Sequence, residues 1–210
     1  MMNAKYVICL IILCFLSHLS LYSGIVYFIS GPSAAGKTTL ANALIAECGN
    51  EGQLENYVFY TTRPKRAGEL EAVDYYFITQ EEFQKKEQEG YFLHSFQYDH
   101  FLYGYEKSIL AELEKGKSYI ILTEYNSTKL LQELIPSSIS IWIDVKEITT
   151  LEERLLRRHA DDLDKFYRRY HLAIEEREQE RIAPSCQYHI LNDDFEEAKQ
   201  QLKSLICKET

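Results

Sequence analysis

Residues Gly31-Pro32-Ser33-Ala34-Ala35-Gly36-Lys37-Thr38 match G-x-x-x-x-G-K-[ST] in full, a pattern of residue types suited to polyphosphate. The two glycines let the backbone wrap with its N–H groups turned inward. A helix opening near Gly36, with Thr39 in its first turn, adds its positive end. Lys37 reaches the outer phosphates of a nucleoside triphosphate, and the Thr38 hydroxyl suits Mg²⁺. A second set of cations, Arg63, Lys65 and Arg66, falls within four residues of the stretch from Thr61 to Glu69. Pro64 and Gly68 mark that stretch as a loop. Arginine forks there suit a phosphorylated acceptor facing the triphosphate. A third set comprises Arg154, Arg157, Arg158, Arg168 and Arg169, in a charged helical stretch from 148 to 181 broken at 159–162. Most of these charges read as a solvated face. Inward arginines among them would neutralise charge developing on a transferring phosphoryl group.

These groups need a scaffold to bring them together. An apolar β-branched run from Ile25 to Ile29 precedes the loop, and Leu40, Ala41, Leu44 and Ile45 follow it at helical spacing. The order strand, loop, helix is the one a phosphate cradle requires. Further on, 48–56 reads as a loop and Tyr57–Tyr60 as a short strand. Residues 80–89 read as a polar helix with Phe83 inward, and 106–114 as another helix. Tyr119–Thr123 and Ile139–Ile143 are buried strands, ending beside Glu124 and Asp144, with a helix over 127–134 between them. Gln187–Leu191 is a last strand. Asn192-Asp193-Asp194 caps a final helix that turns Phe195, Ala198, Leu202, Leu205 and Ile206 inward. Strands alternating with helices predict an α/β fold with a central parallel sheet and crossovers.

The chain's 210 residues suffice for one such domain, and its net charge of −9 offers no electrostatic footprint for nucleic acid. Five scattered cysteines lack C-x-x-C spacing, which predicts neither a metal site nor a disulfide framework and fits a reducing compartment. Residues 1–22 form a hydrophobic segment open to three readings: a signal peptide with a poor cleavage site, a membrane anchor, or sequence ahead of a true start near Tyr22. An ATP-dependent enzyme favours the cytoplasm, with a membrane-anchored form as the alternative.

From Ile25 to about Ile206 the chain resembles the guanylate kinase family. The motifs that carry this are G-P-S-x-x-G-K-[ST] at Gly31, T-T-R-x-x-R-x-G-E at Thr61, D-Y at Asp74, Y-G at Tyr103, R-x-x-x-R at Arg154 and N-D-D at Asn192. The resemblance implies a P-loop, three-layer kinase domain over 23–208. It would carry a small acceptor-binding (NMP) part at 60–105 and a helical lid at 155–168. ATP and Mg²⁺ are the implied cofactors, with Thr38 the metal-binding residue. The acceptor is a small phosphorylated molecule, GMP by family default, and the protein a monomer or dimer. Gly31 to Thr39, Arg154 and Asn192 would hold ATP. Arg63, Arg66, Glu69, Tyr75, His94, Tyr103 and Glu124 would hold the acceptor, and Lys37, Arg63, Arg158 and Arg169 would serve catalysis.

The departures from the family pattern cluster at the base-reading end. His94 stands where the family carries a carboxylate, Tyr105 where it has Ser or Thr, and Phe59 where it has Ser. Its Asp-x-Asp becomes Leu122-Thr123-Glu124. The phosphate clamp is therefore expected intact and the base reader rewritten. A kinase for another phosphate monoester, such as ribose 1,5-bisphosphate, and a non-catalytic protein-binding module remain the alternatives.

Overall fold

The computed structural model describes residues 23–48, 54–66 and 68–207, so the hydrophobic segment at 1–22 lies outside it. Strand β1 (Val26–Ser30) is the spine. Its side chains alternate between two cores, as a period of two demands. Tyr27 and Ile29 face a cluster with Leu40, Leu44, Ile141, Leu151, Ala173 and Leu202, whereas Val26 and Phe28 face one with Tyr105, Leu113, Ile121 and Leu131. Both faces of the sheet are therefore covered, which accounts for the continuous apolar run.

Helix α1 (Lys37–Cys48) follows β1, and the three-residue strand β2 (Leu54–Asn56) follows α1. Then come β3 (Tyr60–Thr61), β4 (Tyr76–Phe77) and α2 (Gln80–Gln88), with Phe83 fully buried. The start of α2 is set by a capping box: the Thr79 hydroxyl accepts from Glu82 N–H, and the Glu82 carboxylate accepts from Thr79 N–H. Strands β5 (Phe92–Tyr98) and β6 (Phe101–Glu106) form a hairpin, followed by α3 (Ile109–Glu114), β7 (Ser118–Leu122) and α4 (Tyr125–Leu134). The chain ends with β8 (Ser138–Asp144), α5 (Ile148–Arg158), α6 (Leu163–Ile182), β9 (Tyr188–Leu191) and α7 (Phe195–Ile206).

The main sheet has five parallel strands in the order β2-β7-β1-β8-β9. A second sheet of four strands, β4-β3-β6-β5, is mostly antiparallel and forms the part predicted to hold the acceptor. Its Phe59, Tyr103 and Tyr105 join the cluster under β1, so the two sheets share a core. The predicted α/β fold, with helices over both faces of a parallel sheet, is found.

Four expectations need correction. Tyr57–Tyr60 is not one strand. Tyr57 N–H still bonds to Ile120 of β7, and pairing in the second sheet begins only at Tyr60. The predicted loop at 48–56 contains β2, which lacks any periodic signal. The helix predicted from Glu106 begins at Ile109, because Glu106 pairs with Phe92 at the end of the hairpin. Cys48 and Cys207, expected to be unpaired, form a disulfide with Cα atoms 6.4 Å apart. The pairing joins the last residue of α1 to the residue after α7, two ends that the parallel topology stacks side by side. Among the described residues, no helix is long and apolar enough to cross a membrane.

Candidate active site

The loop 31–36 needs its glycines for geometry. Gly31 has φ 140°, and a Cβ there would strike the Ile143 carbonyl of β8; Gly36 has φ 95°, and a Cβ would strike the Asn192 amide. Asn192 is itself buried, and its Nδ2 donates to the Ala35 carbonyl at 2.7 Å. Arg154 reaches from α5 to the carbonyls of Asn192 (3.0 Å) and Ala34 (3.3 Å). Both residues predicted for ATP thus also brace the loop from behind. Lys37 folds back and donates to the Gly31 and Pro32 carbonyls. Burial pushes its pKa down to about 8, against the attraction of Glu176 and with the repulsion of Arg169 and Arg158.

A cavity of roughly 180 Å³ opens beside Lys37 and Thr38. Arg63 and Arg66 enter it from the loop after β3, Arg158 from the end of α5, and Arg169 from α6. Burial depresses the Arg66 pKa, and Arg63 and Arg158 depress it further. Such crowding of like charge is unfavourable unless an anion sits among the cations.

Arg63 is tied down by its neighbours. Its fork binds Glu69 at 2.7 and 3.0 Å, a third N–H bonds the Pro64 carbonyl, and its Cζ lies 5.2 Å from the Tyr75 ring centre. Burial would lower its pKa, but Glu69 raises it above the ordinary value. Glu69 also accepts from Arg66 N–H at 2.8 Å. It lies outside the cavity that holds Lys37. Glu69, predicted to touch the acceptor, shapes the loop and lines an adjoining cavity with Arg66, Tyr75 and Arg158. Arg63, Arg66, Tyr75, Tyr103 and Glu124 do line the cavity.

The base-reading end differs from expectation at His94. His94 does not line the cavity: its Nε2 is 3.1 Å from Ser127 Oγ, and Phe96 stacks over it at 5.8 Å. Burial holds the imidazole below its usual pKa. Tyr105 is wholly buried against Phe59, 4.7 Å between ring centres. Tyr105 is core, whereas His94 is half-buried behind Phe96, which stacks on it and itself lines the cavity. Both oxygens of Glu124 serve as the N-cap of α4, Oε2 accepting from Asn126 N–H at 2.7 Å and Oε1 from Ser127 N–H.

Four participants escape the sequence motifs. Phe96 and Tyr98 line the cavity from β5, on the strand face that carries His94; period-two alternation from His94 identifies them. Glu176, on α6 seven residues after Arg169, lines it too. It is 7% exposed, and its Oε2 has no hydrogen-bond partner among the described residues. Burial raises its pKa to about 7, against the attraction of Lys37. Asp99, in the turn between β5 and β6, ion-pairs with Arg168 and Arg169. A helical spacing pattern could have exposed Glu176; nothing local signals Asp99.

On the outer side of the loop a second cavity, roughly 480 Å³, runs past Thr38, Thr39, Arg154, Arg157 and Asn192 to Phe195. Lys37 and Thr38 border both cavities, so one phosphate chain threading the loop would reach from one to the other. This arrangement fits a nucleoside triphosphate. Among the described residues, no group of three or more His, Cys, Asp or Glu is placed to hold a metal ion; the Thr38 hydroxyl, on the loop and bordering both cavities, is of the type that could meet a divalent ion on a triphosphate.

The sequence profile described as "Guanylate kinase" matches residues 24–209. The chain is similar to a curated guanylate kinase of Coxiella burnetii, 36% identical over 87% of this chain and 86% of the relative. It is likewise similar to one of Legionella pneumophila, 33% identical over 88% and 86%. In fold it resembles the crystal structure of guanylate kinase from Anaplasma phagocytophilum, with TM-score 0.68 and 24% identity over 90% of this chain and 88% of that one. A domain-length profile match and these relatives agree with the cradle and arginine ring, and the chain belongs to the guanylate kinase family.

Proposed function

We propose that the protein transfers the γ-phosphoryl group of ATP to the phosphate of a nucleoside monophosphate, GMP first. The observation that carries this is the single cavity shared by Lys37 and Thr38 of the loop, Arg63 and Arg66 of the acceptor part, and Arg158 and Arg169 of the helical pair. Relatives named guanylate kinase supply GMP as the first acceptor to test. Glu124 is the carboxylate at the base-reading end, and guanine offers donors at N1 and N2 for it.

The chemistry needs no covalent enzyme intermediate. Mg²⁺, when bound with ATP, would draw charge from the phosphate oxygens. Lys37 leaves the Gly31 and Pro32 carbonyls for the outer phosphates. Arg66 and the remaining N–H groups of Arg63 hold the acceptor phosphate, with the Tyr75 and Tyr103 hydroxyls beside them. Arg158 and Arg169 meet the charge that develops between the two phosphates. Arg158 is exposed at the end of α5, next to the turn at 159–162, so closure of the lid at 155–168 would bring it inward and exclude water.

The test is an ADP-release assay with ATP and Mg²⁺, run against GMP, dGMP, IMP, AMP, UMP, CMP and ribose 1,5-bisphosphate. GMP turnover on the order of 1–100 s⁻¹ supports the reading. Turnover with another acceptor alone reassigns the substrate, and silence with all of them, despite ATP binding, removes the catalytic reading.

A further inference from the structure

The turn between β5 and β6 is a tight one. Asp99 and His100 both adopt positive φ, 48° and 72°, the backbone a two-residue hairpin turn requires. Such a turn needs only a small polar residue at its first position. Asp99 does more than turn the chain. Its side chain is 4% exposed, and Oδ2 lies 2.7 Å from Arg169 Nη2, a guanidinium that is itself 10% exposed. Arg168 Nε stands equally close, 2.7 Å from Oδ1, but its side chain is 44% exposed. Tyr98 completes the seat: the Arg169 guanidinium carbon is 5.2 Å from the centre of its ring. Held from behind and below, Arg169 still lines the cavity beside Lys37.

We propose that Asp99 is a positioning residue for phosphoryl transfer: the acceptor hairpin holds Arg169 of α6 in its working orientation. This rests on the role given above to Arg169. A long side chain loses rotamer freedom when it grips a transient charge, and fixing it beforehand removes that cost from the reacting complex. The arrangement also spans two parts of the fold, since the anchor sits on the second sheet and the arginine on the helix behind the lid. The arginine is therefore correctly aimed only when the acceptor part is in place.

A double-mutant cycle in kcat tests this, with Asp99→Asn, Arg169→Ala and the pair. Asn keeps the positive-φ turn and removes the charge. The expected loss for Asp99→Asn is about 10²-fold in kcat, the scale of a small misplacement, with KM for both substrates within about twofold. Added to Arg169→Ala, it should cost nothing more, because the function it supports is already gone. Arg168→Ala, which removes only the more exposed partner of Asp99, should lower kcat less than Asp99→Asn does; an equal or larger loss would overturn the proposal. If Arg169→Ala has no effect, the role of Arg169 fails. If Arg169→Ala slows the enzyme but Asp99→Asn does not, or the two losses multiply, the positioning proposal is overturned. A faster Asp99→Asn enzyme also overturns it, since the carboxylate would then be restraining Arg169. A measurement on the unmutated protein stands beside the cycle. Nitrogen NMR should show hindered rotation of the Arg169 guanidinium, retained when a non-hydrolysable ATP analogue and GMP are both bound. Its loss on binding refutes the proposal.

Discussion

Reducing the Cys48–Cys207 disulfide should destabilise the domain more than any surface change. The bridge closes a loop of 159 residues, and the chain-entropy relation assigns a cross-link of that span about 5 kcal/mol at room temperature. Residual structure in the reduced, unfolded chain makes this an upper figure. For a domain of this size each kcal/mol shifts Tm by about 2–4 °C, so the expected drop is on the order of 10–20 °C. The assay is thermal unfolding by circular dichroism with and without reductant, on the parent, Cys48→Ser, Cys207→Ser and the double variant. The parent should fall to the Tm of the variants when reduced, and the variants should ignore reductant. A parent whose Tm moves by less than about 2 °C on full reduction, checked by mass spectrometry, would refute the reasoning.

Lys37→Ala should fold normally and lose at least about 10²–10³-fold in kcat in the ADP-release assay, the cost of removing one charge-stabilising donor. Glu176 should make stability fall with rising pH. Its folded pKa, raised to about 7 by burial, lies above the ordinary carboxylate value, so its contribution is complete below about pH 4.5 and lost as pH climbs through 7. The Tm of the parent minus that of Glu176→Gln should be steady below about pH 4.5 and fall as pH climbs through 7; a parent that instead gains on the variant as pH rises would mean an ionised, well-paired carboxylate. Gly104→Ala should cost about 1–3 kcal/mol in urea unfolding, because the new Cβ would stand 2.7 Å from the Phe92 ring, which is packed on Phe83 at 4.6 Å.

What the sequence disclosed follows from how local each signal is. The cradle is contiguous: an apolar strand, a glycine loop and a helix within about twenty residues, so composition and spacing sufficed. The buried strands at β7 and β8 were legible for the same reason, as short contiguous runs rich in isoleucine and aromatic residues. The acceptor loop was legible as three cations, Arg63, Lys65 and Arg66, set around Pro64 and ahead of Gly68. The base-reading end was legible only in part, because whether His94 faces the cavity depends on which aromatic stands in front. Here Phe96 does, and no local rule ranks the seven aromatics between Tyr91 and Tyr105. The disulfide and the Asp99 pair join residues far apart in sequence, and only the topology brings them together.

The ring of arginines has a consequence for the empty protein. Arg66, Arg158 and Arg169 face one cavity, and the Arg66 pKa is lowered partly by the cations around it. Without an anion, their repulsion acts as a spring between the acceptor loop and the helical pair, loaded by folding and released by the ligand. On the proposed function, the phosphates of the two substrates would discharge that spring. Inorganic phosphate or sulfate should release part of it, so the unliganded domain should gain stability in those anions beyond what their general salting effect confers.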